Sequence, residues 1–464
     1  MVRRPRRVAV LALAFLLAAC TAQVAAPRPS DSPSASVNPT ATPRPTNAVS
    51  DVLHLRSVGP GGVANILAID ARTGATLRTL PDGSVSSDRS TLLATEEASG
   101  ATKTLVRRLD LGAGRELGSF VLDGTYHALW TDGGQTALSR DGHHLALSIY
   151  PYQENGDWVT GFRVVDADTG AAEATLDLKG QSTFGFVAMS PDGRSLFLNR
   201  FGEGVTTMRV FDIPSSTLLP ATAIAGVRKQ GGFRPAPVFS RDGRWMFSLD
   251  AGAPGNCTSF DGPRCTPSAD EQPYVFALDL VSRRMLSAPL PMEQRSTDFE
   301  KYLLWSVAVA PDAATVYAIN PALGVIDEVD AQQMTVRRTS SITVSRASEG
   351  MLAAIGRFFF PVASAKRYIT GGALLSPNAD RIYAAGYKGI AVVNTSDLSS
   401  RAVWQSDGEF DALALTVDGE RLYAVSNASG KIVIIATRDG TKLGRSSISI
   451  AGIAQDAPAT GARR

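Results

Sequence analysis

The chain has 464 residues, of which 44% are hydrophobic and 19% charged, with 42 Gly and 26 Pro against 3 Cys and 4 His. That length buries a large core, so a small disulfide-held scaffold is excluded, and the spread of aromatic and β-branched residues excludes wholesale disorder. Lys+Arg 46 against Asp+Glu 44 leaves a formal +2 and no electrostatic case for nucleic acid, while 4 His leave little from which to build a His-rich metal centre.

Arg3, Arg4, Arg6 and Arg7 precede an apolar run from Val8 to Leu17, followed by Ala18, Ala19 and Cys20. The run is too short to span a bilayer and has the layout of a secretory signal over residues 1–19. Leu17-Ala18-Ala19-Cys20 resembles the lipobox of bacterial lipoproteins. The resemblance implies cleavage before Cys20, acylation of its thiol, and a protein lipid-anchored to the bacterial cell membrane on the extracytoplasmic side. An ordinary signal peptide with a coincidental cysteine is the alternative. Loss of residues 1–19 removes four arginines and no acidic residue, which turns the formal charge from +2 to −2. Residues 20–50 then carry Pro27, Pro29, Pro33, Pro39, Pro43 and Pro45 among Ser, Thr and Ala, with no apolar period. Such a segment is expected to be a disordered tether, at ~3.1 Å per residue where it is extended.

From Asp51 the chain repeats itself. One piece is a tight turn before an apolar strand: Ser139-Arg140-Asp141-Gly142 before His144, Ser190-Pro191-Asp192-Gly193 before Ser195, and Ser240-Arg241-Asp242-Gly243 before Trp245. Further copies are Ala310-Pro311-Asp312-Ala313, Ser376-Pro377-Asn378-Ala379 and Thr416-Val417-Asp418-Gly419. Asp bonds the turn backbone and Gly accepts positive φ, which suits a hairpin. The second piece is a β-rich strand ending at Asp70, Asp110, Asp166, Asp212, Asp279, Asp330, Asn394 or Ala436, then a turn and another strand. Its weak alternation is that of strands covered on both faces.

Short antiparallel strands with regular Asx and Gly turns predict an all-β chain folded as a β-propeller over 51–457, with a flexible tail at 458–464. The count is eight blades. Seven is the alternative, because the copy at Thr102–Leu122 departs from the pattern. A strand from Ile450 to Ala457 is expected to join the N-terminal blade and close the ring. These units resemble the YVTN-type repeats of bacterial surface propellers, grouped with quinoprotein amine dehydrogenase β-chain-like and WD40-like folds. The matching residues are turn and core positions, so the resemblance implies a fold and not an activity.

Cys257 and Cys265 lie in a Gly-, Pro- and Ser-rich insertion at 252–273, and in an exported protein they are expected to pair as a disulfide. A quinone-binding repeat would need Trp where Arg78 and Ala174 stand. His54, His127, His143 and His144 form no triad or zinc pattern, and neighbouring His143 and His144 point to opposite faces of a regular strand. Asp166 and Asp168 lack the rest of a calcium loop, so a turn role is expected. Thus no catalytic residues, metal or cofactor are expected.

The most suggestive pattern stands where the chain joins each innermost strand: Tyr126, His127, Phe184, Phe233, Arg234, Trp305, Lys366, Arg367, Tyr368, Glu409 and Phe410. These residues either line one mouth of the central channel as a binding ring or pack between blades. A second long insertion, at 345–370, is either a cap or a packing insert. The function expected is a monomeric binding or scaffold module for a protein, peptide or glycan, and a lactonase-like hydrolase or an oxidoreductase at the channel mouth is the alternative.

Overall fold

The computed structural model describes residues 52–58, 64–70, 72–98, 102–130, 136–202, 205–226, 237–250, 272–294, 304–342, 372–386, 388–416, 418–426 and 429–447. Two units make up the chain: Met1–Ala48, outside the described residues, and Val49–Arg464, which carries every described strand. The strands form eight small antiparallel sheets in a ring, an eight-bladed β-propeller. Apart from two 3₁₀ turns, Ala221–Ala223 and Met292–Gln294, the described elements are all strands.

Blade 1 holds Val52–Val58, Ala64–Asp70 and Thr76–Pro81. Blade 2 holds Gly83–Val85, Thr91–Glu97, Lys103–Asp110 and Glu116–Asp123. In blade 3 a short strand, Tyr152–Glu154, joins His127–Ala128, His144–Ser148, Asp157–Asp166 and Ala172–Gly180. Blade 4 holds Thr183–Met189, Ser195–Gly202, Val205–Asp212 and Thr217–Leu218. Blade 5 has Val238–Phe239, Trp245–Asp250, Tyr274–Asp279 and Arg284–Pro289, and blade 6 Ser306–Val309, Thr315–Asn320, Val325–Asp330 and Thr335–Ser341. Blade 7 has Ala373–Leu375, Arg381–Gly386, Gly389–Asn394 and Ser400–Trp404, and blade 8 Ala412–Leu415, Arg421–Ser426, Lys431–Ala436 and Lys442–Ser447.

Eight residues at the ends of third strands, from Asp70 to Ala436, fall where the repeat requires them. The copy at Thr102–Leu122 is the outer half of a complete blade 2, which decides between eight blades and seven. Its first turn, Ser86-Ser87-Asp88-Arg89, escaped the sequence pattern because Arg89 replaces glycine. Arg89 nevertheless adopts φ 57°, and Ser86 Oγ donates to Asp88 Oδ1 at 2.6 Å and accepts from Thr91 N at 3.0 Å. The same wiring recurs at Ser139, Ser190 and Ser240, where each Ser Oγ bonds the Asp two residues on and accepts the backbone N–H five residues on. At the third-strand ends the carboxylate accepts successive backbone N–H groups instead, as Asp279 does from Val281 and Ser282 at 2.9 and 3.0 Å.

No blade buries both faces alone, so apolar residues of each pack on the next. Blades 5 and 6 meet through Phe247, Leu249, Val275, Val316 and Val329. Between blades 8 and 1 the cluster is Leu53, Leu55 and Ile69 against Tyr423, Val425, Ile432 and Ile434, and this contact completes the ring. Among the described residues blade 1 lacks a first strand. The expected closing strand, Ile450 to Ala457, lies outside the described residues. Arginines also tie turns across blades: Arg283 reaches Asp212 and Ser195 of blade 4, Arg338 reaches the Thr395 and Ser396 carbonyls of blade 7, and Arg381 reaches the Thr437 carbonyl of blade 8.

Candidate functional site

Strand direction sorts the connections onto two ends of the ring. Turns from first to second and from third to fourth strands share one end, where the Ser-x-Asp and Asx turns repeat. Connections from second to third strands and from blade to blade share the other. The strand ends Leu218 and Val238, Asp250 and Tyr274, Pro289 and Ser306, and Ser341 and Ala373, which are separated in sequence by the longest connections, stand at this end. In repeat folds such insertions gather on one face, commonly the binding face. In blade 3 the first hairpin also carries an isolated antiparallel bridge, Trp130–Thr136.

The regular end holds a cleft of about 270 Å³ between blades 2 and 3, lined by Asp88, Arg108, Asp141, His143 and Asp168 among others. Its charges serve the turns. Asp88 and Asp141 accept from their own turn residues, and Arg108 of blade 2 bonds Asp168 of blade 3. Hydrogen bonds from Ser86 first, then from Ser90, hold the Asp88 carboxyl below its usual value. Asp166 accepts from Asp168 N and from Thr169, and so has the expected turn role. His143 approaches Asp168 at 3.7 Å while His144 bonds Glu173 at 2.7 Å, so the two side chains have separate partners.

At the irregular end the expected ring of aromatics divides. Trp305, 1% exposed, is part of the core between blades 5 and 6, and Phe410, 2% exposed, of that between blades 7 and 8. Phe184 packs against the core between blades 3 and 4, and Tyr126 against that between blades 2 and 3 with the Arg163 guanidinium 5.9 Å above its ring. Glu409 is half-buried. For Trp305 and Phe410, packing between blades is the arrangement found. Phe233, Arg234, Lys366, Arg367 and Tyr368 lie outside the described residues, as do Cys20, Cys257, Cys265 and the 345–370 insertion.

His127 sits differently. Its ring stacks on Tyr150 with centroids 3.9 Å apart and 12° between planes, and its Nδ1 is buried without a hydrogen-bond partner. Burial is the main cause that lowers its pKa to about 4, opposed by nearby Asp82 and assisted by Arg56. Arg56 and Asp82 form a two-bond ion pair at 2.9 and 2.7 Å, and the guanidinium lies 5.1 Å from the Trp130 ring centroid. His127 is therefore neutral at physiological pH, beside a carboxylate already engaged.

Sequence reasoning missed the exposed aromatics of this end. Tyr150 is 69% exposed, Tyr152 50% and Phe201 45%, all at second-to-third connections of blades 3 and 4. The Tyr150-Pro151-Tyr152 triplet beside a turn was the available signal. Among the described residues no group of three or more His, Cys, Asp or Glu gathers to hold a metal, and no helix is long and apolar enough to cross a membrane.

These features define the class as an eight-bladed β-propeller with one regular and one irregular end. No protein-family model matches the sequence, and no curated protein matches it. Among solved structures the chain is similar to the dihydro-heme d1 dehydrogenase NirN in complex with DHE, at 12% identity and TM-score 0.48, over 89% of this chain and 75% of that one. It is also similar to apo AztD from Citrobacter koseri, at 11% identity and TM-score 0.46, over 89% and 99%. A third is a putative 6-phosphogluconolactonase from Bacteroides uniformis, at 14% identity and TM-score 0.41, over 86% and 98%.

Proposed function

We propose that the protein is a lipid-anchored, extracytoplasmic β-propeller that binds a protein, peptide or glycan through its irregular end. The observation that carries this reading is the exposure of Tyr150, Tyr152 and Phe201 at the end where the connections depart from the repeat. Aromatic rings offer apolar area at little entropic cost and stack on peptide or sugar rings alike. The anchor rests on Arg3 to Cys20: a signal over 1–19, lipid on Cys20, and a tether over 20–50 carrying the ring of 51–457 and a tail of 458–464. The repeats favour the YVTN-type and quinoprotein amine dehydrogenase β-chain-like group, and a Cys257–Cys265 disulfide would order the 252–273 insertion outside the cell.

Proximity crosslinking on living cells tests the reading. The wild-type chain is expected to capture a reproducible set that Tyr150→Ala/Tyr152→Ala/Phe201→Ala loses; an unchanged set would place binding elsewhere. Fatty-acid labelling is expected in the wild type and absent in Cys20→Ser, and equal labelling of both refutes the anchor. A second reading, a propeller enzyme, is favoured by the neutral His127 beside Asp82, the buried His127 Nδ1 having no hydrogen-bond partner. Turnover in a hydrolase and oxidoreductase screen that His127→Ala and Glu409→Ala abolish would replace the binding reading with that one.

A further inference from the structure

We infer that Asp327 is held as a neutral carboxylic acid that clips the crossing from blade 5 to blade 6 in place, through a cyclic acid–amide pair with Gln294. Gln294 ends the 3₁₀ turn Met292–Gln294 in that crossing, and Asp327 lies in the third strand of blade 6. Both are buried, Asp327 at 0% and Gln294 at 5% exposure. On that strand Val325 and Val329, which share its face, belong to the packing between blades 5 and 6.

The hydrogen bonds leave one gap. Gln294 Nε2 donates to Asp327 Oδ1 at 2.9 Å, and Thr339 Oγ1, on the cross-strand neighbour, donates to the same oxygen at 2.6 Å. Asp327 Oδ2 and Gln294 Oε1 are both buried without a partner. A carboxylate Oδ2 and an amide Oε1 are both acceptors, so an ionised Asp327 leaves two buried lone-pair atoms unserved by any protein donor. A single proton on Oδ2, donated to Gln294 Oε1, satisfies both atoms and completes a pair of antiparallel bonds between acid and amide.

No charge offsets an ionised Asp327 among the described residues. Arg337, two residues before Thr339, bonds Asp330, while Glu328 belongs to the opposite face and pairs with Arg338. Glu293, beside Gln294, is exposed, and Arg284 stands at the regular end of blade 5. Burial pushes the Asp327 carboxyl up from its ordinary value, with the Thr339 and Gln294 bonds opposing it less strongly. The clip therefore stays formed until pH rises through the folded value, when the turn is released from blade 6; its contribution to stability is full below the unfolded-chain value of about 3.9, declines above it and is lost at the folded value.

Infrared spectroscopy and thermal melting of the purified full chain test the proposal. The wild type is expected to show the carbonyl band of a buried protonated carboxyl at neutral pH, absent in Asp327→Asn and displaced in Gln294→Ala. Asp327→Asn supplies an Nδ2–H to Gln294 Oε1 at every pH. It is expected to melt at or above wild type at alkaline pH and to lose part of the wild-type decline as pH rises. Asp327→Ala is expected to melt below both. A wild-type spectrum without that band overturns the inference, and so does an Asp327→Asn protein that melts as low as Asp327→Ala.

Discussion

Replacing Trp305 by alanine separates packing from binding at the irregular end. The indole is 1% exposed and packs among Phe247, Leu249, Val307 and Val316 between blades 5 and 6. A buried Trp hides roughly 200 Å², which at about 25 cal/mol/Å² corresponds to ~5 kcal/mol. Alanine retains a little of this, so the expected loss is about 3–5 kcal/mol. With an unfolding entropy of ~2.1 cal/mol/K per residue over roughly 400 folded residues, the melting midpoint should fall by about 4–6 °C. Calorimetry in a single buffer measures the shift, and hydrogen exchange should lose protection first in Trp245–Asp250 and Ser306–Val309, the strands that flank the hole. A midpoint unchanged within about 1 °C, with crosslinking lost, would mean that the indole serves a ligand and the packing argument is wrong.

Tyr150→Ala lies at the opposite extreme, and is expected to change stability by less than about 0.5 kcal/mol while uncovering His127. The His127 pKa, about 4 under the stacked ring, should move toward 6.5, as NMR titration would detect. Because the folded value lies below the unfolded one, the unfolded chain takes up the proton first, and wild-type stability should fall as pH drops from about 6.5 to about 4. His127→Gln should flatten that part of the profile; an unaltered slope would remove His127 as its source. Gly193→Ala should destabilise more than Gly142→Ala in chemical denaturation, because both have positive φ but only the Cβ at 193 would run into the His144 ring. Equal losses would show that φ alone sets the cost. Ser240→Ala removes the acceptor for Trp245 N and the donor to Asp242, and should cost about 1–2 kcal/mol. Since the Ser240 bond is the largest cause holding the Asp242 carboxyl low, the wild-type advantage present above about 3.9 should shrink as pH falls through the folded value, and an advantage independent of pH would refute that link.

The blade count was legible because each turn is written in a local code. Ser, Asp and Gly at fixed offsets bond their own backbone, so the signal needs no distant partner. It failed at Ser86-Ser87-Asp88-Arg89, where the serine and aspartate bonds were already present but a non-glycine residue takes the positive φ that glycine usually signals. The outer half of that blade departed from the repeat for a related reason. Its exposed fourth strand, Glu116–Asp123, has only solvent to satisfy on one side and carries little pattern.

The candidate site was only partly legible. Tyr126, His127, Phe184, Trp305, Glu409 and Phe410 do stand at the starts of innermost strands, as the repeat spacing requires. Whether a ring at that position faces a neighbouring blade or water depends on the shape of the adjoining blade, which lies tens of residues away in the chain. Trp305 and Phe410 turn into cores, while Tyr150, Tyr152 and Phe201, outside the pattern, remain exposed. The sequence by itself determined strand order, turn chemistry and the repeat, because these arise from contacts within a few residues. Only the tertiary structure decided the closing contact of blade 8 on blade 1, the burial of Trp305 and the meeting of Asp327 with Gln294. Each of those is a long-range contact, set by which faces the ring brings together.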